Sequence, residues 1–575
     1  MSKNINRLVV LSSQEKSIKH VFDEMGSQSR KLKFPGIAVI INNDFRVVGV
    51  VTDGDIRRAF AEKKSFNLPI SEIMEKKPIT LLATTPRELI IPLVTQKFNE
   101  LKKNKKNLVR HLILVDVNEK ITDVIDLFDI ILNEGQKFQN VTVLGLGFVG
   151  LTLATTMANL GHQVIGIDIN MKLVKDLNNL KVEIHEPGLK QMLRNNLKKK
   201  TLKFVSNIPN NMSSIYIIAV GTPLKKNNLP NLMPIKSVLK GLAKVLKKGD
   251  HIMIRSTVPI GTTRDLIIPF LKKNTKLMAG KDLYVSFVPE RVVEGDALKE
   301  LRYLPQIIGG FSDLCLKKAA EFWSTITPTI IRTTSLEAAE LVKLANNSFR
   351  DLSFAFANEI GYLCSKFNIN AFDVIKAAND GYPRNKIPFP SPGVGGYCLT
   401  KDPYLLSSSI LKKRDDVYLG KTSRYVNKRS TLQIAKKIEK YIKDKKISLS
   451  KLSILLVGIA FKGEPETNDV RGSTSIDIKN YFKYKVKDIK GWDAVLSEDE
   501  IRSHGFKTVK SLDEGILNSD IIMILNNHKL NARSPLYYKS TDFKLIFDGW
   551  NQLNSEEIES LQGLTYSTIG YISKF

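Results

Sequence analysis

Cys398 lies in the segment Gly393-Val-Gly-Gly-Tyr-Cys-Leu-Thr-Lys-Asp402 of a 575-residue chain that also carries Gly145-Leu-Gly-Phe-Val-Gly150 and Lys343-Leu-Ala-Asn-Asn347. A thiolate beside a nicotinamide can hold an aldehyde covalently while it is oxidised again, so that an alcohol is taken all the way to an acid. A lone cysteine is more often a small core residue. Here glycines that let backbone and substrate come close precede it, and Asp402 follows four residues on, which favours the reactive role.

The glycine triplet points to the cofactor. Gly145, Gly147 and Gly150, with Phe148 and Val149 between them, follow the apolar run Val141-Thr-Val-Leu144 and open a helix-like stretch, Leu151 to Asn159. Asp168 ends the next strand-like run, Gln163-Val-Ile-Gly-Ile-Asp168. In that context the glycines let the backbone close on a pyrophosphate, and the acidic residue accepts both ribose hydroxyls. A carboxylate there repels a 2′-phosphate, so NAD is expected over NADP. Lys343 and Asn347 are four apart and share one helix face, so both can reach the same oxygen.

Strands alternating with helices are needed to position these groups. Apolar runs at Ser214–Val220, His251–Ile254 and Leu283–Val288 continue the first parallel sheet. A helical pattern from Thr334 to about Phe367 would open with a capping box, Thr334-Ser-Leu-Glu337, and span roughly 45–50 Å. Leu341, Leu344, Phe349, Leu352, Phe354, Phe356, Ile360 and Leu363 spread apolar character over several of its faces, which calls for burial between domains and against a second subunit. A second α/β pattern starts at Leu452-Ser-Ile-Leu-Leu-Val-Gly458, with strands at Asp520–Leu525 and Lys544–Asp548.

Residues 1–136 carry two passes of one pattern, through Gly36–Ile41, Val47–Ile56 and Arg57–Phe60, then through His111–Val115 and Asp123–Phe128. They resemble a tandem pair of cystathionine β-synthase-type (CBS) modules, in which a Thr and an Asp three residues later hold a ribose. Thr52 and Asp55 match that spacing, whereas the second copy has Thr122 but Ile125. The resemblance implies an adenine nucleotide as effector; a packing module without ligand is the alternative.

Residues 139–575 resemble the nucleotide-sugar 6-dehydrogenase family of UDP-glucose/GDP-mannose type. The resemblance rests on Val220-Gly-Thr-Pro223, Ser256-Thr-Val-Pro-Ile-Gly-Thr262, Pro289-Glu-Arg-Val-Val-Glu-Gly295, Lys343 with Asn347, Gly395-Gly-Tyr-Cys-Leu-Thr-Lys-Asp402, and Gly458-Ile-Ala-Phe-Lys-Gly463 followed by Asp469-Val-Arg-Gly-Ser473. It implies that Cys398 captures the C6 aldehyde as a thiohemiacetal that becomes a thioester, with two NAD consumed per sugar. It further implies that Lys343 and Asn347 stabilise the oxyanion, and that Asp402, Thr257, Glu290 and Glu294 line the reacting carbon and its water. Thr222 and Arg471 match positions near the cofactor; Phe461, Lys462 and Arg384 match positions near the substrate. The stretches Glu290–Leu298, Leu304–Gly310 and Gly381-Tyr-Pro-Arg-Asn385 look more like the UDP-N-acetylhexosamine branch (GlcNAc or ManNAc), making a uronic-acid donor for a surface polysaccharide. UDP-glucose 6-dehydrogenase, a two-electron β-hydroxyacid dehydrogenase and an inactive adenylate-sensing scaffold are the alternatives.

The expected fold class is α/β: two Rossmann-like parallel-sheet domains joined by a long central helix and preceded by an α+β CBS pair. The expected domains are 1–136 (CBS pair), 137–333 (NAD binding), 334–430 (central helix and cysteine loop) and 431–575 (UDP-sugar binding). Three cysteines without a Cys-x-x-Cys pair argue against a disulfide framework or a structural zinc, so no metal is expected. The net charge of +29 is scattered in short lysine runs, which points to a solvated surface that attracts anionic substrates and away from nucleic acid. No run of about 18 apolar residues and no secretory leader occur, so a cytoplasmic homodimer or higher homo-oligomer without membrane insertion is expected.

Overall fold

Uninterrupted apolar runs such as Ile215-Tyr-Ile-Ile218 and Ile521-Ile-Met-Ile524 become strands buried on both faces, the form that parallel sheets covered by helices require. The computed structural model describes residues 5, 8–29, 32–62, 64–85, 90, 93, 94, 96, 97, 111–126, 139–209, 213–409, 417–538, 543–561 and 563–573. The chain divides into two compact units, 1–137 and 138–575. The expected 136/137 boundary, and Leu127 and Phe128 of the second module copy, lie outside the described residues.

The first unit repeats one topology. β1 (Val10–Ser13) runs parallel to β2 (Ile37–Ile41), which pairs antiparallel with β3 (Val47–Thr52). β4 (Thr80–Leu82), β5 (His111–Val115) and β6 (Ile121–Asp126) do the same, and the register shifts at matching points, Ile40/Ile41 and Leu114/Val115. The β-rich run expected over Val47–Ile56 stops at Thr52. There the Thr52 hydroxyl accepts the amide of Asp55 while Asp55 accepts the amide of Thr52, and this capping box starts the helix Asp53–Ala61.

The second unit holds two sheets. β7 (Asn140–Leu144), β8 (Gln163–Ile167), β9 (Leu202–Val205), β10 (Ile215–Ile218), β11 (His251–Ile254), β12 (Tyr284–Phe287), β13 (Gln306–Gly310) and β14 (Ile330–Arg332) form one, in the order β14-β13-β12-β11-β10-β7-β8-β9. All its pairings are parallel except β12 with β13. The strand order reverses between β7 and β10, which leaves a ligand crevice at their carboxyl ends. β15 (Ser453–Val457), β16 (Asp488–Trp492), β17 (Lys507–Thr508), β18 (Ile521–Ile524), β19 (Lys544–Asp548), β20 (Leu564–Thr568) and β21 (Tyr571–Ile572) form the other, in the order β17-β16-β15-β18-β19-β20-β21.

The central helix runs Leu336–Phe367. Its cap is Ser335, whose hydroxyl accepts the Ala338 amide, so the expected Thr334/Glu337 box does not form; Glu337 instead pairs with Arg264. A second long helix, Leu419–Asp444, crosses the expected 430/431 boundary without a break. The two helices are riveted by Asp351, which is fully buried and accepts from Ser423, Arg424 and Asn427. The expected burial of the central helix on several faces is incomplete: Phe349, Phe356 and Leu363, seven residues apart, stay exposed at 70%, 51% and 51% and form one apolar stripe.

Candidate active site

The glycine turn after β7 shows three different reasons for its glycines. Gly145 has φ +97°, and a Cβ there would sit 2.9 Å from the Ala219 carbonyl oxygen. A Cβ on Gly150 would lie 1.8 Å from the Gly145 carbonyl oxygen, so that glycine allows the helix to pack on the strand. Gly147, by contrast, has nothing within 4 Å, and its space is open to an incoming group. Gly147 caps the helix Phe148–Asn159 without any side-chain hydrogen bond, which leaves the amides of Phe148, Val149 and Gly150 facing that space. At the end of β8 Asp168 accepts the Leu146 and Asn170 amides at 2.9 Å each, which aims its carboxylate at the same turn. These residues fit a dinucleotide: an open anion-receptive helix end with an acidic ribose acceptor beside it.

The thiol is brought to this crevice by its loop. A Cβ on Gly221, just beyond β10, would stand 3.3 Å from the Tyr397 hydroxyl, so the cysteine loop touches the segment that walls the glycine turn. On its other side, a Cβ on Gly395 would come 2.4 Å from the Gly472 carbonyl oxygen and one on Gly396, at φ +85°, 2.7 Å from the Phe461 ring. Gly396 also donates its amide to the Arg471 carbonyl at 2.9 Å. The two helices hold the approach: Asn358 accepts the Ser391 amide, Thr431 donates to the Pro392 carbonyl, and Arg424 donates to the Val394 carbonyl.

Around Cys398 the charges are arranged in layers. The side chain is open to solvent on a floor otherwise crowded by protein. Crowding pushes the thiol pKa up and Asp402 adds to the rise, while Lys343 and Lys401 oppose it. Asp402, fully buried, accepts from the Asn347 amide nitrogen at 2.6 Å and from the Lys401 ammonium at 2.6 Å. Burial works against the Lys401 charge, yet Asp402 and Cys398 outweigh it and hold its pKa above the ordinary value. Lys343 is buried and makes no hydrogen bond or ion pair among the described residues. It is therefore a free donor beside the thiol. Glu294 has its carboxyl pKa raised, first by burial and then by Asp469.

Family models match in chain order: the NAD binding domain of the UDP-glucose/GDP-mannose dehydrogenase family over residues 139–327, its central domain over 337–429 and its UDP binding domain over 455–555. The chain belongs to the UDP-glucose/GDP-mannose dehydrogenase family. A CBS domain model matches residues 1–62. The UDP-N-acetyl-D-mannosamine dehydrogenase of Pyrococcus horikoshii is 33% identical over 416 residues, 72% of this chain and 95% of the relative. The solved structure of UDP-D-ManNAc dehydrogenase from that organism superposes with a TM-score of 0.67 at 31% identity, covering 75% of this chain and 99% of the other. The UDP-N-acetyl-mannosamine dehydrogenase structure from Staphylococcus aureus gives 0.65 at 28% identity, covering 75% and 98%. This chain is an NAD-dependent nucleotide-sugar dehydrogenase with an N-terminal CBS domain.

Most of the expected residues of the dehydrogenase converge. Thr222 donates to the Thr257 carbonyl at 2.6 Å, tying the two cofactor-side motifs together. Lys462 donates to the Glu294 carbonyl at 2.6 Å, Thr467 donates to the Glu294 carboxylate at 3.1 Å, and Arg471 stands 3.7 Å from it. Arg471 also lies over the Tyr397 ring and pairs with Asp469. Two expected residues keep other company. Glu290 accepts from the Arg255 guanidinium on one carboxylate oxygen and from the Arg291 and Val292 amides on the other. Arg384 is exposed, its guanidinium 5.5 Å from the Tyr382 ring, with no hydrogen bond or ion pair to the cluster among the described residues.

Three contributors escaped the motif reading. Lys401 lies inside the Cys398–Asp402 motif and its neighbour Asp402 was the available signal. Arg350 follows Asn347 by one helical turn and its charge depresses the Lys462 pKa after burial and against Glu294, so it stands near the same substrate-facing lysine. Glu340, a turn before Lys343, accepts from Gly261, from the Thr263 amide and from the Thr263 hydroxyl, clamping the loop after Thr257 to the central helix. Its partners are 77 and more residues away, so no local spacing announces them.

Proposed function

We propose that the dehydrogenase oxidises the C6 hydroxyl of a UDP-N-acetylhexosamine to the carboxylate in two successive two-electron steps, through a covalent bond to Cys398. The observation that carries this is the grouping of an accessible thiol, on a loop that touches Gly221, with the unspent Lys343 ammonium and the Asn347–Asp402 pair. Relatives that act under the name UDP-N-acetyl-D-mannosamine dehydrogenase favour the manno epimer among the substrates. The product would be a uronic-acid donor of the kind that surface polysaccharides use.

When bound, NAD supplies the acceptor for each hydride. The residues supply the rest. Lys343 and Asn347 oppose the charge that develops on the C6 oxygen. The C6 hydroxyl proton passes to solvent as the carbon loses its first hydride, which leaves an aldehyde. The Cys398 thiol then gives its proton to solvent while its sulfur adds to the aldehyde carbon and the carbonyl π electrons move to that oxygen. Loss of hydride from the adduct leaves a thioester, which water cleaves so that the C–S bond breaks and the sulfur regains a proton. Asp402, engaged by Asn347 and Lys401, orients the donors. Glu294, with its raised pKa, is the group suited to take the proton of the water.

The test is a stoichiometry. With UDP-ManNAc, UDP-GlcNAc and UDP-glucose as a panel, two NADH should form per uronate released, and UDP-ManNAc should turn over fastest. One NADH per product, or uronate release by Cys398→Ala at the parent rate, would refute the covalent route. We further propose that the stripe Phe349, Phe356 and Leu363 is covered by a second copy of the chain, and that the CBS unit takes an adenine nucleotide whose ribose competes with the Thr52–Asp55 capping box. Sedimentation of Phe356→Glu and titration of AMP against Asp55→Ala test the two in turn: an unchanged oligomer, or unchanged AMP affinity, would remove the corresponding claim.

A further inference from the structure

Behind the carboxyl half of the central helix, an open groove of about 980 Å³ runs between that helix and Leu419–Asp444, with β21 along one side. Its charge is one-sided. Lys366, Arg429, Lys436, Lys437 and Lys440 line it, and Asp444 is the carboxylate among its lining residues. At its inner end the groove meets a recess of about 40 Å³, walled by Asn358, Gly361 and the β20–β21 turn Ser567–Gly570; Lys437 borders both spaces.

Lys437 is the anomaly. Its ammonium is buried and has no hydrogen-bond acceptor among the described residues. Burial lowers its pKa to about 8, which still leaves it charged at neutral pH. The nearest acid along the helix does not help: Glu439 is taken by Lys443, Lys485 and the Tyr481 hydroxyl on another face. A buried, unpaired cation in a folded protein is costly unless a partner arrives from outside. The floor beside it is prepared for such a partner. Lys366 and Arg429 flank the Tyr362 ring at 4.8 and 5.0 Å from its centroid, which holds two more cations at the rim.

We propose that this groove is a second binding site, for a small phosphorylated molecule whose phosphate is received by the Lys437 ammonium and whose remaining charge is met by Lys440, Lys436 and Arg429. A recessed ammonium favours a compact phosphate over an extended polyanion, which would be met by an exposed ridge of cations. The site is not the catalytic cleft. Tyr362 lies 15 residues beyond Asn347 on one continuous helix, about 22 Å along its axis.

The probe is inorganic pyrophosphate, titrated calorimetrically at constant ionic strength into the full-length protein with NAD present. The parent should show a saturable component that weakens at least tenfold in Lys437→Met and several-fold in Lys440→Gln, and is unchanged in Lys272→Gln, an exposed lysine elsewhere. Lys440 is itself exposed, so its variant remains informative should Lys437→Met fail to fold. Equal affinity in parent and Lys440→Gln, or no saturable component sensitive to either groove lysine, would overturn the site. Tighter binding of a single-stranded oligonucleotide or of anionic vesicles than of pyrophosphate, lost in the same variants, would overturn the small-molecule assignment.

Discussion

In its amino half the central helix presents Lys343 and Asn347 to a cleft that also contains Asp402 and Glu294; in its carboxyl half it presents Tyr362 and Lys366 to a groove whose charged lining residues are cations apart from Asp444. Both places contain a lysine, Lys343 and Lys437, that makes no hydrogen bond among the described residues. In the cleft the neighbouring ions are paired with one another, Lys401 with Asp402 and Arg471 with Asp469, and that pairing fixes the geometry while leaving Lys343 and Cys398 unspent. In the groove no acid among the described residues pairs with Lys437. The contrast separates a site prepared to act on a bound molecule from one whose charge is completed only by a ligand, because an electrostatically closed frame is preorganised and an open one is not.

The sharpest way to break that contrast is to exchange the two lysines' roles. Lys343→Met should reduce kcat by about 10²–10³-fold, the usual effect of removing one oxyanion donor, and leave pyrophosphate affinity at the groove as it was. Asn347→Ala should fall in the same range with a larger structural component, since it strips a hydrogen bond from a fully buried carboxylate. Steady-state turnover with the best UDP-sugar of the panel, measured beside calorimetry on each variant, checks both. A Lys343→Met protein with parental kcat would remove Lys343 from the chemistry.

Asp351 lies between the two halves and serves both. It is fully buried and takes hydrogen bonds from Ser423, Arg424 and Asn427, and Arg424 in turn holds the Val394 carbonyl of the cysteine loop. Removing one partner of a buried pair leaves the other charge uncompensated, so Asp351→Ala should cost about 3–5 kcal/mol in denaturant unfolding. Its turnover should fall as well, because the loop loses a tether. If stability drops and kcat per folded molecule does not, Arg424 is only a packing residue.

The amino-acid sequence made the cofactor turn readable and singled out the loop that carries the thiol, because the features of both are local. The three glycines, Asp168 and the Cys398 loop each depend on backbone conformation within a few residues, and Lys343 with Asn347 follow from helical spacing. What stayed hidden depends on distant partners. Glu290 reads as a site carboxylate in its motif, but the hydrogen bond it accepts from Arg255, 35 residues earlier, follows from no local spacing. Thr334 and Ser335 are both competent caps; only the path of the chain out of β14 decides for Ser335. The groove has no motif at all, since its lysines look like the solvated charge found throughout a chain of net charge +29 until the second helix encloses Lys437.

Proton linkage offers the finest comparison of the two halves, because each contains a buried group displaced in the opposite sense. Burial raises Glu340 to about 7, so between roughly pH 4.5 and 7 the folded state binds a proton that the unfolded state has released, and stability falls as pH rises through that window. Burial lowers Lys437 to about 8, so between roughly pH 8 and 10.5 the unfolded state binds the extra proton, and stability rises with pH. Each shift corresponds to a change on the order of 3 kcal/mol across its window. Glu340→Gln should flatten the acidic limb alone and Lys437→Met the alkaline limb alone, in urea unfolding measured from pH 5 to 10. Pyrophosphate should also diminish the alkaline limb in the parent, since an anion beside Lys437 restores the pKa that burial took away; a limb that persists unchanged at saturating pyrophosphate would mean that the anion never reaches the ammonium.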